Sequence, residues 1–267
     1  MEWSTESEGR IRLDMEKVME RKKRNKASLA IFKVIFVLIV FGAVGGYIWS
    51  SDYYRASVTA MEALESGAVN EKGDIVFDVE GTAKGVIIYP GGKVDEKAYA
   101  LLAKSISEQG YDAYVAKMPL RLAILGIGRA EKIMTENTEV TEWVIIGHSL
   151  GGVAASRFIV RNPEGVKGLV LLASYPDEKT DLSDIGIPVH SLLGTEDRIV
   201  DRAALGAADS RLGEGLVRVE VPGGNHSYFA NYGVQEGDGE ASIGYGMQQS
   251  LVIKAVSDIF APVPSGQ

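Results

Sequence analysis

Along most of this chain the hydrophobic residues fall in short continuous runs, separated by turn residues and by segments of helical spacing. Gly85-Val86-Ile87-Ile88-Tyr89, Tyr111 to Lys117, Val144-Ile145-Ile146 and Gly168 to Ala173 are such runs, and Pro188 to Leu193 and Leu216 to Val221 continue the series. Continuous apolar runs predict strands buried on both faces, as in a parallel sheet covered by helices. Asp74 to Val79 adds an earlier strand, with Glu80-Gly81-Thr82 as its turn. Helices are predicted at Ser57 to Ser66, Asp95 to Gln109, Ala123 to Asn137, Val153 to Val160, Ala203 to Leu212 and Gly246 to Phe260. Gly110 stops the second of these, and Asn162-Pro163 ends the fourth. Strands alternating with helices define an α/β fold. One catalytic-sized domain is expected over residues 73–263, preceded by a linker with a short helix over 50–72.

One apolar run has a different character. Leu29 to Trp49 is apolar apart from Lys33, and no charge occurs from Val34 to Trp49. Crossing the hydrocarbon core takes about 20 residues. The run is long enough if Lys33 snorkels toward the basic side. Trp49, Tyr53 and Tyr54 would then form an aromatic belt at the far interface. Residues 1–28 are a polar tail ending in Arg21-Lys22-Lys23-Arg24-Asn25-Lys26, whereas only Arg55 lies shortly after the run. A helix over Ile11 to Arg24 could be amphipathic, but a solvated tail is the simpler reading. The positive-inside rule puts the tail in the cytoplasm and the remainder outside. An uncleaved signal anchor over 29–49 is therefore expected in the cell membrane. The competing reading is a cleaved signal with its site at Ala43-Val44-Gly45, but the leader is long for one.

Composition changes this picture little. The 267 residues suffice for one large α/β core. The absence of Cys excludes a disulfide scaffold, a thiol nucleophile and a thiolate metal site. Through Ser51, Lys and Arg outnumber Asp and Glu nine to six, so the rest of the chain carries −11 against a net charge of −8. That acidic balance argues against nucleic acid as a partner.

The candidate chemistry centres on Gly147-His148-Ser149-Leu150-Gly151-Gly152. A strand runs into Gly-x-Ser-x-Gly and a helix follows, which is the pattern of a nucleophile elbow. Serine needs a base, and the base needs an orienting acid. Of three His, His148 is inside the elbow and His190 lies within a strand. His226 follows a strand in Pro222-Gly223-Gly224-Asn225-His226 and is the candidate base. Leu193-Gly194-Thr195-Glu196-Asp197 places Asp197 after a strand as the candidate acid, with Glu196 and then Asp201 as alternatives. Asp197 could instead cap the next helix. An oxyanion hole needs two backbone donors. Leu150 N–H is one, and Gly92 N–H in the Tyr89-Pro90-Gly91-Gly92-Lys93 loop is the other, with Lys93 as alternative. Asn225-His226-Ser227 also matches a glycosylation acceptor, although a glycan there would obstruct the base.

These motifs, in this order, resemble the α/β-hydrolase superfamily, and in particular small members with a Tyr-Pro-Gly-Gly loop and a Gly-His-Ser-Leu-Gly elbow. The resemblance covers roughly Gly73 to Val263. It implies an eight-stranded, mostly parallel sheet and hydrolysis through an acyl-serine intermediate. It does not specify the substrate; the leading reading is a small-molecule carboxylic ester, with no metal or organic cofactor needed. The usual cap insertion is reduced to Ser174 to Ile187, which implies an open cleft. Met118 to Ile127 and Ser227 to Tyr245 remain to shape the pocket. The same triad could serve a peptidase, an amidase or an acyltransferase. A third class, a non-catalytic scaffold, would have no need of all three residues.

Overall fold

The computed structural model describes residues 15, 19, 31–49 and 51–261. The basic cluster, and Ile11 to Arg24 apart from Met15 and Met19, lie outside the described residues. The chain divides after Asp52. In the first unit, helix α1 (Ile31–Trp49) is 19 residues long with a mean hydropathy of 2.4. Its large side chains, Phe32, Leu38, Phe41 and Ile48 among them, are exposed. This helix is long and apolar enough to cross a membrane.

The second unit is built on an eight-stranded sheet. Its strands are β1 (Ala68–Val69), β2 (Ile75–Phe77), β3 (Lys84–Tyr89), β4 (Asp112–Val115), β5 (Glu142–His148), β6 (Val166–Leu172), β7 (Val189–Gly194) and β8 (Leu216–Val221). Their order is β1-β2-β4-β3-β5-β6-β7-β8. Pairing is parallel from β4 through β8 and antiparallel only at β1–β2 and β2–β4. The helices are α2 (Val58–Leu64), α3 (Ala100–Ser107), α4 (Arg129–Glu136), α5 (Leu150–Arg161), α6 (Arg202–Ala207) and α7 (Tyr245–Phe260).

Strict alternation along each central strand divides the interior in two. Val144, Ile146, Val86 and Ile88 face one core with Leu102 and Ile106 of α3 and Val252 and Val256 of α7. Trp143, Ile145, Ile87 and Tyr89 face the other with Ile133 of α4 and Phe158 and Ile159 of α5. Both faces of the sheet are thereby covered, which is why these strands carry no polar face.

Two elements depart from the sequence-based expectation. The helix expected from Ala123 to Asn137 is a single 3₁₀ turn at Ala123–Leu125, and α4 begins only after Gly128. Gly126 and Gly128 interrupt it, since glycine disfavours a continuous helix. Tyr53 and Tyr54 belong to the second unit and make contacts within it. Tyr54 bridges to Val94 and its ring lies 5.3 Å from that of Tyr232. The Arg121 guanidinium sits 3.4 Å from the centre of the Tyr53 ring. The edge strand β1 has only two exposed residues, so no apolar run announces it. Between β6 and β7 no helix or strand is inserted, as the short Ser174 to Ile187 crossover implies.

Candidate active site

Because β3, β5, β7 and β8 are parallel, the loops that follow them emerge from one edge of the sheet. Ser149 follows β5 directly and caps α5, Asp197 follows β7, His226 follows β8, and Gly92 follows β3. Ligand and catalytic groups of open α/β sheets gather at this carboxyl edge.

Ser149 has φ 51° and ψ −122°. A non-glycine residue in that region is strained and persists only when its surroundings hold it there. The restraints are visible. Ser149 N–H donates to Leu172 O at 2.9 Å, and Ser174 Oγ donates to Ser149 O at 2.6 Å. The two motif glycines are sterically required. A Cβ on Gly147 would lie 2.4 Å from Gly152 Cα, and one on Gly151 would lie 2.1 Å from Tyr89 O. The second contact shows how tightly the start of α5 is pressed against the Tyr89–Gly92 loop.

The same closeness sets Gly92 beside the Leu150 side chain. A Cβ on Gly92 would fall 3.2 Å from Leu150 Cδ2. Neither the Leu150 nor the Gly92 N–H is bonded to an acceptor among the described residues. Lys93 N–H, the alternative donor, is engaged by Arg121 O at 2.9 Å.

His226 Nδ1 lies 3.0 Å from Asp197 Oδ2. Both side chains are buried, at 1% and 0% exposure. The other Asp197 oxygen accepts the N–H groups of Ile199 at 2.8 Å and Val200 at 2.9 Å. Burial pushes the Asp197 carboxyl up, but the His226 hydrogen bond and charge and the two backbone donors outweigh it and hold it below the usual range. Asp197 thus caps the turn and meets the histidine. Glu196 turns instead to Thr195 Oγ1 at 3.2 Å, and Asp201 caps α6 through Ala203 and Ala204 N–H. His226 Nε2 is buried and has no hydrogen-bond partner among the described residues, Ser149 Oγ included. In resting enzymes this bond is often long and tightens with substrate bound. His190 stays within β7, where burial lowers its pKa.

Several supporting residues carry no sequence signature that pointed to them. Asp238 accepts His226 N–H at 3.2 Å, Ser227 N–H at 2.9 Å and Ser227 Oγ at 2.5 Å. Gln248, on α7, accepts Asn225 N–H at 3.1 Å and donates to Asn225 O at 2.7 Å. Asn225 is itself fully buried and donates to Gly239 O at 2.9 Å, which leaves no room for a glycan. Ser174 was detectable in principle, since it follows β6 beside the elbow. A cavity of about 920 Å³ lies at the opposite edge of the sheet, where Pro188 and Gly215 lead into β7 and β8, and belongs to a different region.

A mostly parallel eight-stranded sheet with a strained serine between the central strand and its helix is the architecture of the α/β hydrolases. The pattern of the alpha/beta hydrolase family matches residues 85–250, and the chain belongs to that family. The protein is accordingly a hydrolase by fold and family. No curated protein matches the chain in sequence. Among solved structures, a protein from Thermoplasma acidophilum described as a predicted CIB-like hydrolase is similar at 15% identity and TM-score 0.56, over 72% of this chain and 97% of that one. The carboxylesterase CesB from Bacillus subtilis is similar at 11% identity and TM-score 0.53, over 82% and 98%. Est1E from Butyrivibrio proteoclasticus is similar at 15% identity and TM-score 0.52, over 73% and 97%.

Proposed function

We infer that the protein is a membrane-anchored serine hydrolase that cleaves carboxylic esters outside the cytoplasm through an acyl-serine intermediate. The observation that carries this reading is the buried Asp197–His226 pair with Nε2 left bare, at the sheet edge where the strained Ser149 also emerges.

Ser149 Oγ attacks the ester carbonyl carbon while His226 Nε2 takes the hydroxyl proton. Asp197 holds the Nδ1–H tautomer and stabilises the imidazolium that forms. The Leu150 and Gly92 N–H groups, both without acceptors, receive the developing oxyanion. Collapse of the tetrahedral intermediate expels the alcohol, protonated by His226. Water, deprotonated in turn by His226, then attacks the acyl-enzyme. The carboxylic acid leaves and Ser149 is restored. No metal or organic cofactor enters any step. The crossover without an inserted element supports an open cleft and a small or freely presented ester.

The test is a panel of p-nitrophenyl esters from acetate to palmitate, given to the full-length protein in detergent. Turnover that disappears in Ser149→Ala supports the reading. Equal turnover by the variant, or none by the unaltered protein, would refute it.

A further inference from the structure

His148 precedes Ser149 in the chain, yet its bonds lead away from the serine. It is fully buried. Three hydrogen bonds in series pass through it. Gly91 N–H donates to Tyr99 Oη at 2.8 Å. Tyr99 Oη lies 2.7 Å from His148 Nδ1. His148 Nε2 lies 3.1 Å from the carbonyl oxygen of His226.

Valence sets the direction of each bond. A carbonyl oxygen can only accept, so His148 Nε2 carries the proton. Tyr99 Oη accepts from Gly91 and has one proton to give, which Nδ1 receives. The ring is therefore neutral and locked in one tautomer from both sides. Burial and, secondarily, the neighbouring His226 lower the His148 pKa to about 3, in keeping with that assignment. The ring also packs 4.9 Å from the His226 ring and 5.9 Å from those of Tyr99 and Phe229.

We propose that Tyr99 and His148 are positioning residues that tie the oxyanion loop to the main chain of the base, so that Gly92 N–H and His226 Nε2 keep one geometry relative to Ser149. The proposal rests on the serine-hydrolase reading above. Gly91 is the immediate neighbour of Gly92, and the other end of the chain grips the carbonyl of His226 itself. Displacement of either loop breaks a buried bond. The neutrality of the ring matters as well. A cation beside His226 would oppose the imidazolium that forms there during acyl transfer.

The test uses the full-length protein and its Tyr99→Phe, His148→Gln and doubly substituted variants. Ester hydrolysis is measured per site titrated with a fluorophosphonate, which counts only folded, competent molecules. Each single variant should lower kcat by about 10- to 100-fold, the scale expected for slight misplacement of catalytic groups. KM should change by less than about twofold, and the double variant should be no slower than His148→Gln alone. Long-range ¹H–¹⁵N NMR of the unaltered protein should show His148 as the Nε2–H tautomer at neutral pH. Unchanged kcat per titrated site with a lowered Tm would make the chain purely structural and overturn the proposal. So would losses that multiply in the double variant, or an Nδ1–H tautomer. An unaltered protein that neither hydrolyses esters nor takes the probe sinks the serine-hydrolase reading itself, and the positioning role with it.

Discussion

At the scale of single residues, the acid offers the sharpest contrast, because Glu196 and Asp197 are neighbours with different surroundings. Asp197→Asn should lower ester turnover on the order of 10⁴-fold, since an amide stabilises the wrong imidazole tautomer. Glu196→Gln should change it by only a few fold, its carboxylate being bonded to Thr195. Steady-state kinetics on the two variants decides, and the opposite ranking would move the role to Glu196. A second expectation concerns pH. His148 has a pKa of about 3 when folded against an ordinary 6.5, so the unfolded chain binds a proton that the folded one refuses. Stability from this residue is present above pH 6.5 and falls as the pH drops toward 3, with a slope of at most about 1.4 kcal/mol per pH unit. His148→Gln should flatten the slope of urea-unfolding stability over that window. Ser149, Asp197 and His226 were legible because each follows an apolar run, where the sheet edge must lie. Asp238 was not. It reaches the His226 loop from a segment with no periodicity and no motif, and only the fold brings it there.

At the scale of elements, the helix α7 illustrates what periodicity can and cannot say. A closing helix was expected over Gly246 to Phe260, and α7 buries Val252, Ala255 and Val256. Nothing in its helical spacing revealed that buried Gln248 clamps both backbone groups of Asn225, next to His226. Gln248→Leu strands a buried N–H and a buried carbonyl, at about 1–3 kcal/mol for each unsatisfied group. The variant should therefore unfold at lower urea concentration, and kcat should fall as the base loop loosens. A variant with unchanged kcat would show that the loop keeps its place without the clamp. The split of the expected Ala123–Asn137 helix has a simple cause in Gly126 and Gly128, which interrupt the helical spacing. The opposite case is β8, predicted and found at Leu216–Val221.

For the whole molecule, the mostly parallel sheet was legible from the succession of apolar runs and helical segments. The reversal β1-β2-β4-β3 was not, because strand order depends on crossovers that leave no local mark. The proposed topology across the membrane rests on the charge pattern alone. Arg21, Lys22, Lys23, Arg24 and Lys26 precede the apolar helix, and each gains about 1 kcal/mol beside an anionic inner leaflet. Protease added to intact cells should digest the hydrolase unit and spare the N-terminal tail. Protection of the hydrolase unit until lysis would reverse the orientation, and a mature N-terminus near Gly46 would show a cleaved signal. The expectations on turnover all depend on Ser149 being the nucleophile. The most direct measurement is mass-spectrometric mapping of the adduct formed by a fluorophosphonate on the full-length protein. One adduct is expected, on Ser149, absent from Ser149→Ala and formed far more slowly by His226→Ala. An adduct on another residue, or ester hydrolysis with no adduct at Ser149, would contradict it.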